Sequence, residues 1–231
     1  MADNIKTQTS EFLTSLRLAD SFLPVGTYSS SYGLESFVQE GIIDNSDDLR
    51  ELLKDYLRHL VAPSDIVAIS SVYDAGDESD IDKIIQIDNK YHSTQVAKEF
   101  RESSIKSGNN LLELFIETSD YNLLNKIHEE LPHCHYVTVL GIISNDAQIK
   151  KIDACLTHVY SFMTELISAA QRLFQLSHIK VQQILSNLQP IIVDSCQANI
   201  DNNITQMQSF CPWITIMGMK HEREDVKLFM S

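Results

Sequence analysis

Apolar side chains recur along this chain at the three- and four-residue spacing of an α-helix. Leu49, Leu52, Leu53, Tyr56, Leu57 and Leu60 form one such stripe. Ser46, followed by Asp47 and Asp48, predicts its N-cap and an acidic first turn suited to the helix dipole. Pro63 predicts the end of that helix and the start of another carrying Ile66, Val67, Ile69 and Tyr73, because proline lacks the N–H that a helix interior uses. Ser79 with Asp82 predicts a capping box before Ile81, Ile84 and Ile85. A further helix is predicted over 94–115, with Gly108 tolerated inside it at about 1 kcal/mol relative to alanine. The longest stripe is Ile152, Leu156, Val159, Tyr160, Met163, Leu166, Ile167, Ala170, Leu173 and Phe174, about six turns facing a core. Val181, Ile184, Leu185 and Leu188 continue the period as far as Pro190. Only the apolar run Tyr136–Ile143 is ambiguous between helix and strand. The pattern predicts an all-α fold: one compact domain over 1–231 of about eight to ten helices, with residues 1–9 flexible.

Composition narrows the class. A chain of 231 residues suits one generous domain at about 100–200 residues per domain. Its 43% hydrophobic content excludes wholesale disorder. With 7 Gly and 5 Pro it lacks the turn residues that an all-β chain needs about every 8–12 positions. No apolar run approaches the roughly 18 residues of a membrane span. The first ten residues are polar and lack the apolar centre of a signal peptide, and the four cysteines (Cys134, Cys155, Cys196, Cys211) show no CxxC spacing. Reduced thiols in the cytoplasm are the expectation.

Charge excludes one large class of partner. The formal net charge is −14, whereas a phosphate backbone requires a basic face, so nucleic acid is not expected as a partner. The excess is local: Glu40 to Asp88 holds 13 acidic and 4 basic residues, a net of −9, whereas Asn145 to Gln189 holds 3 acidic and 4 basic, a net of +1. A solvated face is the simple reading of the acidic segment; a docking face for a basic partner is the sharper one.

Motifs that carry chemistry are scarce. There is no GxxxxGKS/T phosphate loop, GxGxxG turn, HExxH helix or GxSxG elbow. His133-Cys134-His135, with Cys155 and His158 further on, is the densest group of soft ligands. His133 and His135 are weak metal candidates, because a fixed site needs three or four convergent donors. The simpler expectation is a loop before a helix whose histidines meet water or backbone. The hydroxyl-rich stretch Thr27-Tyr28-Ser29-Ser30-Ser31-Tyr32 offers serines but no neighbouring base. It reads as a turn through Pro24 and Gly26 followed by a hydroxyl N-cap for a helix bearing Leu34 and Phe37. Arg172 is expected to pair with a carboxylate at the edge of the long helix. The C-terminal stretch is charged but ends in Leu228, Phe229 and Met230, which require a surface to bury against, in this domain or in another protein.

Five ordered segments resemble those of the urease accessory protein UreF family. Leu18-Ala19-Asp20-Ser21-Phe22-Leu23-Pro24-Val25-Gly26-Thr27-Tyr28-Ser29-Ser30-Ser31-Tyr32-Gly33-Leu34-Glu35 resembles its N-terminal signature, S-x-x-L-P-V-G-x-F/Y-x-Y/S-S-x-G-L-E after an apolar residue. Arg101, Ser104, Gly108, Leu111, Leu112 and Leu114 resemble its R-x-x-S-x-x-x-G-x-x-L-L-x-L helix. His135, Tyr136, Val137, Val139 and Gly141 resemble its G-H-Y/F-P-V-x-x-G segment. Ala169, Ala170, Arg172, Leu173 and Gln182 resemble A-A-x-R-L-x-x-L-x-x-x-x-x-Q. His221, Glu222, Leu228, Phe229 and Ser231 resemble the terminal R-H-E-x-x-x-x-R-L-F-R-S, with Lys220 and Lys227 in place of arginines.

The resemblance implies an all-helical, dimerising protein without catalysis of its own. It implies a bridge between a UreD/UreH-type protein and the GTPase UreG for GTP-dependent nickel insertion into apo-urease. GTP would then belong to a partner, nickel would be the complex's cargo, and no cofactor would reside here. The implied partner-facing residues are Pro24, Gly26, Tyr28, Ser30, Tyr32, Gly33, Glu35, Arg172, Lys220, His221, Glu222, Leu228, Phe229 and Ser231, with 219–231 as a docking tail. A nickel carrier using His133, His135, Cys155 or His158, and a hydrolase using one of Ser29 to Ser31, are the competing readings.

Overall fold

The computed structural model describes residues 2–26, 31–223 and 228–229, with side chains from residue 9 onward. Among the described residues the regular structure is entirely helical. The α-helices are α1 (Ala2–Leu18), α2 (Leu34–Gln39), α3 (Ser46–Tyr56), α4 (Val67–Asp77), α5 (Ile81–Thr94), α6 (Lys98–Thr118), α7 (Asn122–Ile127), α8 (Tyr136–Asp146), α9 (Lys151–Leu173), α10 (His178–Asn199) and α11 (Pro212–His221). A π-helix, Leu57–Ile66, joins α3 to α4, and a 3-10 turn, Ile204–Gln206, precedes α11. The run Tyr136–Ile143, ambiguous in sequence, is helix because it lies at the centre. From Val137 to Asn145 every residue of α8 is buried, and a helix apolar all round belongs inside. It packs against α4, where a Cβ on Gly141 would come within 2.8 Å of Val72. The buried apolar side chains form one continuous cluster running from Leu18 to Phe229.

Several boundaries differ from the sequence reading, each for a local reason. Residues 2–9 belong to α1, since extending a formed helix costs far less than nucleating one. Asn45, not Ser46, caps α3, its side chain accepting the N–H groups of Asp47 and Asp48. Asp80, not Ser79, caps α5 by accepting from Lys83 N–H; Ser79 sits at φ 53° in the turn before it. Helix α2 begins after Gly33 at φ 82°, with no side-chain cap, so the expected hydroxyl cap is absent. Pro190 lies inside α10 on its exposed side, where solvent can satisfy the carbonyl that a proline leaves unbonded.

Pro63 does not end its helix. Without an N–H it cannot bond the carbonyl of His59, and the backbone widens into π turns instead. The freed His59 carbonyl accepts the N–H of Phe210 at 3.1 Å, and the Pro63 carbonyl accepts that of Gln208 at 3.0 Å. The same proline that loosens one helix thus docks the extended segment leading into α11.

Among the helix starts without a side-chain cap of their own are α6 after Ala97, α7 after Tyr121 and α8 after His135. Carboxylates from distant helices serve them. Glu222 accepts Glu99 N–H at 2.9 Å, and Asp146 accepts Leu123 and Leu124 N–H at 3.1 and 2.9 Å. Asp88 accepts the N–H groups of His133, Cys134 and His135 and the Thr138 hydroxyl at 2.8–3.1 Å. Gly108 makes the last arrangement possible, because a Cβ there would collide with the Cys134 carbonyl and come within 2.7 Å of Tyr136 N. Gly108→Ala is expected to cost about 1–3 kcal/mol as an overpacked core, read as a lower denaturation midpoint with unchanged m-value. Its helix propensity alone would predict a gain.

Candidate functional site

The chain's two ends of interest meet in one buried polar cluster. Helix α2 reaches α11 at a pair of glycines: a Cβ on Gly33 would stand 2.8 Å from Gly218 N. A Cβ on Gly218 would stand 2.5 Å from the Phe100 ring on α6. This approach places Glu35 of α2, Glu99 of α6 and His221 of α11 side by side, all 2% exposed or less. His221 Nδ1 lies 2.8 Å from Glu99 Oε2 and its Nε2 lies 3.0 Å from Glu35 Oε2. Both ring nitrogens therefore donate, which describes an imidazolium shared by two carboxylates. Glu35 also accepts the N–H groups of Leu228 and Phe229 at 2.9 and 3.3 Å. The Phe229 ring is buried, with the Arg172 guanidinium 4.3 Å above it.

The electrostatics follow from these contacts. Burial alone would lower the His221 pKa, but hydrogen bonds to Glu99 and Glu35 outweigh it, and the value is raised. Burial alone would raise Glu35; the bonds from Leu228 N–H, His221 and Phe229 N–H outweigh it, and the value is lowered.

The surroundings are aromatic. The Tyr32 ring packs 5.3 Å from Phe100 and 4.9 Å from Phe162, centroid to centroid, and Tyr56 donates its hydroxyl to the Tyr32 carbonyl. Beyond this layer a cavity of about 40 Å³, lined in part by Tyr32, Tyr56, Asp65, Tyr91 and His158, has room for about one water. There Asp65 accepts from Tyr91 Oη at 3.0 Å and Ser64 Oγ at 2.7 Å, and lies 2.8 Å from His158 Nε2.

The expected site residues divide by placement. Tyr28, Ser30 and Ser231 lie outside the described residues, as do Ser29, Lys227 and Met230. Pro24, Gly26, Arg172, Lys220 and Leu228 are exposed, and Tyr32 and Glu222 are half-buried. Gly33, Glu35, His221 and Phe229 are buried. Of the described residues near 28–35 and in the C-terminal stretch that were expected to face a partner, Gly33, Glu35, His221 and Phe229 lie inside; Glu35 faces inward because its carboxylate holds His221 and the backbone at 228–229. Lys220 pairs with Glu40. The Arg172 guanidinium stands over the Phe229 ring and donates from Nε to the Ser168 carbonyl. Glu99, Phe100 and Gly218 were missed. A glycine inside the apolar run Ile214–Met219 is a usable sign of close backbone approach; nothing in the spacing marks Glu99.

The metal candidates are committed elsewhere. His135 is fully buried, its Nδ1 3.0 Å from Ser104 Oγ and its Nε2 3.1 Å from His92 Nδ1. His158 is held by Asp65. Burial, with Asp88 adding to it, pushes the Cys134 thiol up to about 12, and burial also pushes Cys155 far above its ordinary value. Such thiols are poor ligands. Among the described residues no group of three or more His, Cys, Asp or Glu is placed to hold a metal ion. Ser31 is fully buried, so the one described serine of the hydroxyl-rich stretch is closed to substrate.

Outside the cluster α11 turns a second face to solvent. Trp213 and Ile216, one turn apart, are 62% and 58% exposed, and Phe210 just before them is 73% exposed. No helix among the described residues is long and apolar enough to cross a membrane.

The fold defines an all-helical protein, among the described residues, in which Glu35 and Glu99 are spent on His221 while Phe210, Trp213 and Ile216 stay exposed. Comparison with known proteins supplies the family. Residues 43–189 match the UreF family model. The chain is 32% identical over 232 residues to the urease accessory protein UreF of Trichodesmium erythraeum (strain IMS101), covering 98% of this chain and 100% of that one. It is 27% identical over 235 residues to the UreF of Haemophilus influenzae (strain PittEE), covering 100% of both. It is 24% identical over 223 residues to that of Bacillus sp. (strain TB-90), covering 95% and 98%. The chain belongs to the urease accessory protein UreF family.

Two pH effects of opposite sign are expected at the cluster. The His221 contribution is full below its ordinary pKa near 6.5 and is lost as pH rises through the raised value. That of Glu35 is full above 4.5 and is lost as pH falls through the lowered one. Amide exchange at Leu228 and Phe229, corrected for intrinsic rate, should be slowest between these limits. His221→Ala leaves two buried carboxylates unpaired and should cost about 3–5 kcal/mol by denaturant titration.

Proposed function

We propose that this protein is a non-enzymatic chaperone of urease maturation, bridging a UreD/UreH-type protein and a UreG-type GTPase so that nickel enters apo-urease with GTP hydrolysis. Nickel is cargo of the assembly, and GTP belongs to the partner, since this sequence carries no phosphate loop. Complex formation takes place in the cytoplasm. The observation that carries the reading is the exposed pair Trp213 and Ile216, with Phe210 just before them, on the helix whose inner face is locked by His221. An apolar surface presented on a rigid support suits a docking partner. Leu228, 72% exposed beside the buried Phe229, is a further apolar group open to a partner.

A second apolar face supports the homodimer in this reading. Phe12 and Leu16 of α1, Tyr160 of α9 and Val193 of α10 line a groove of about 820 Å³, with Glu11, Lys150 and Asp153 among its lining. A face carrying both charge signs around an apolar centre can complement a copy of itself.

Two measurements test this. Co-purification with the UreD/UreH-type partner should fall at least tenfold, on the order of the loss of one interface hot spot, in Trp213→Asp/Ile216→Asp and on deletion of Lys220 to Ser231. Unchanged complex in both variants would defeat the docking role. Tyr160→Asp should shift the protein from dimer to monomer by light scattering while leaving its helical circular dichroism unchanged; a monomeric wild type would refute the dimer.

A further inference from the structure

The junction between α5, α6 and the approach to α8 holds three imidazoles that the proposed assembly does not use. His92, in the last turn of α5, stacks on His133 with centroids 3.6 Å apart and planes 11° from parallel. Its Nδ1 bonds His135 Nε2 at 3.1 Å, His135 Nδ1 meets Ser104 Oγ at 3.0 Å, and His133 Nε2 meets Asn89 Oδ1 at 3.2 Å. In the bond between His92 and His135 one nitrogen donates and the other accepts. Both rings therefore cannot be protonated while it lasts. Two stacked imidazolium rings at 3.6 Å would also repel.

Little nearby can absorb positive charge. The nearest carboxylate, Asp88 on α5, already receives three backbone N–H groups and the Thr138 hydroxyl. Tyr91 of α5 meets the His135 ring edge-on at 4.9 Å as a neutral phenol, its pKa raised by burial and by Asp65, and Cys134 is a neutral thiol. Arg101 of α6 adds a positive charge near His92, whereas Asp65 of the π-helix acts the other way on His135. Burial, with His133 and Arg101, lowers His92. Burial pushes His135 down to about 4, against the pull of Asp88.

We propose that the bonded His92–His135 pair, with the His133 ring stacked on His92, is an acid-operated fastener, which holds the α7–α8 connection over residues 128–135 against α5 and α6 while the pair is neutral and releases it on protonation of the pair. The sign is fixed: a histidine whose folded value is depressed contributes stability that is full above about 6.5 and is lost as pH falls towards the depressed value. This is opposite to His221, whose contribution persists on mild acidification, so the two responses separate along the chain.

The test is hydrogen exchange on the full chain at about pH 8 and about pH 5.5, corrected for intrinsic rate. For a group near 4 folded and 6.5 unfolded, linkage predicts about a tenfold loss of protection at the lower pH. That loss is expected in peptides covering 128–135 and not at 228–229. In His135→Gln, which removes the group from which that tenfold follows while keeping an amide to bond His92, the loss should shrink by half or more. Equal protection of 128–135 at both pH values, or an undiminished loss in the variant, would overturn the proposal. Should the variant fail to fold, an NMR histidine titration of the wild type decides: midpoints for His92 and His135 near 6.5 would refute the fastener.

Discussion

The fold rests on carboxylates that satisfy backbone groups in helices other than their own. An α-helix begins with N–H groups that have no partner inside it, and burying them unpaired costs about 1–3 kcal/mol each. Helices α6, α7 and α8 start inside this protein without a side-chain cap of their own. Glu222, Asp146 and Asp88 reach them or their approaches from α11's end, α8 and α5. Each such bond is charge-assisted and aligned with the positive end of a helix dipole. Each also ties two elements remote in sequence, so the helices are mutually dependent in a way that apolar contact alone would not enforce.

The cluster around His221 applies the same device at the C-terminal stretch. Glu35 spends its carboxylate on one imidazolium and two backbone N–H groups, and Glu222, the next residue after His221, holds the start of α6 that carries Glu99. Helices α2, α6 and α11 are thereby locked in one arrangement, with Gly33 and Gly218 setting how closely they approach. A buried ionic group is a weak source of net stability against an apolar replacement. Its effect here is to define which face of α11 turns inward, and hence that Trp213 and Ile216 turn outward.

Periodicity was a good guide wherever burial is one-sided. The stripes at Leu49 to Leu60 and Ile152 to Phe174 became α3 with its π-helical continuation and α9. It failed where a local rule was overridden from a distance. Pro63 reads as a helix end because its missing N–H is a local fact; that the His59 carbonyl finds Phe210 is not. The residues resembling the family's terminal segments, Glu35, His221 and Phe229, were visible as a group, yet their apparent exposure was misjudged. A charged or C-terminal residue reads as surface until its partner is known, and the partner of His221 stands 186 positions away in sequence.

The sequence by itself determined the class of structure and the family. Helical period follows from the 3.6-residue turn, which a local pattern must obey, and the ordered motifs are linear by nature. Only the tertiary structure decided which polar residues are spent internally and which side chains are free for partners. That outcome depends on Coulomb energy, desolvation and hydrogen-bond geometry among groups such as Glu35, Glu99 and His221, whose proximity is created by folding and leaves no spacing along the chain from which it could be read.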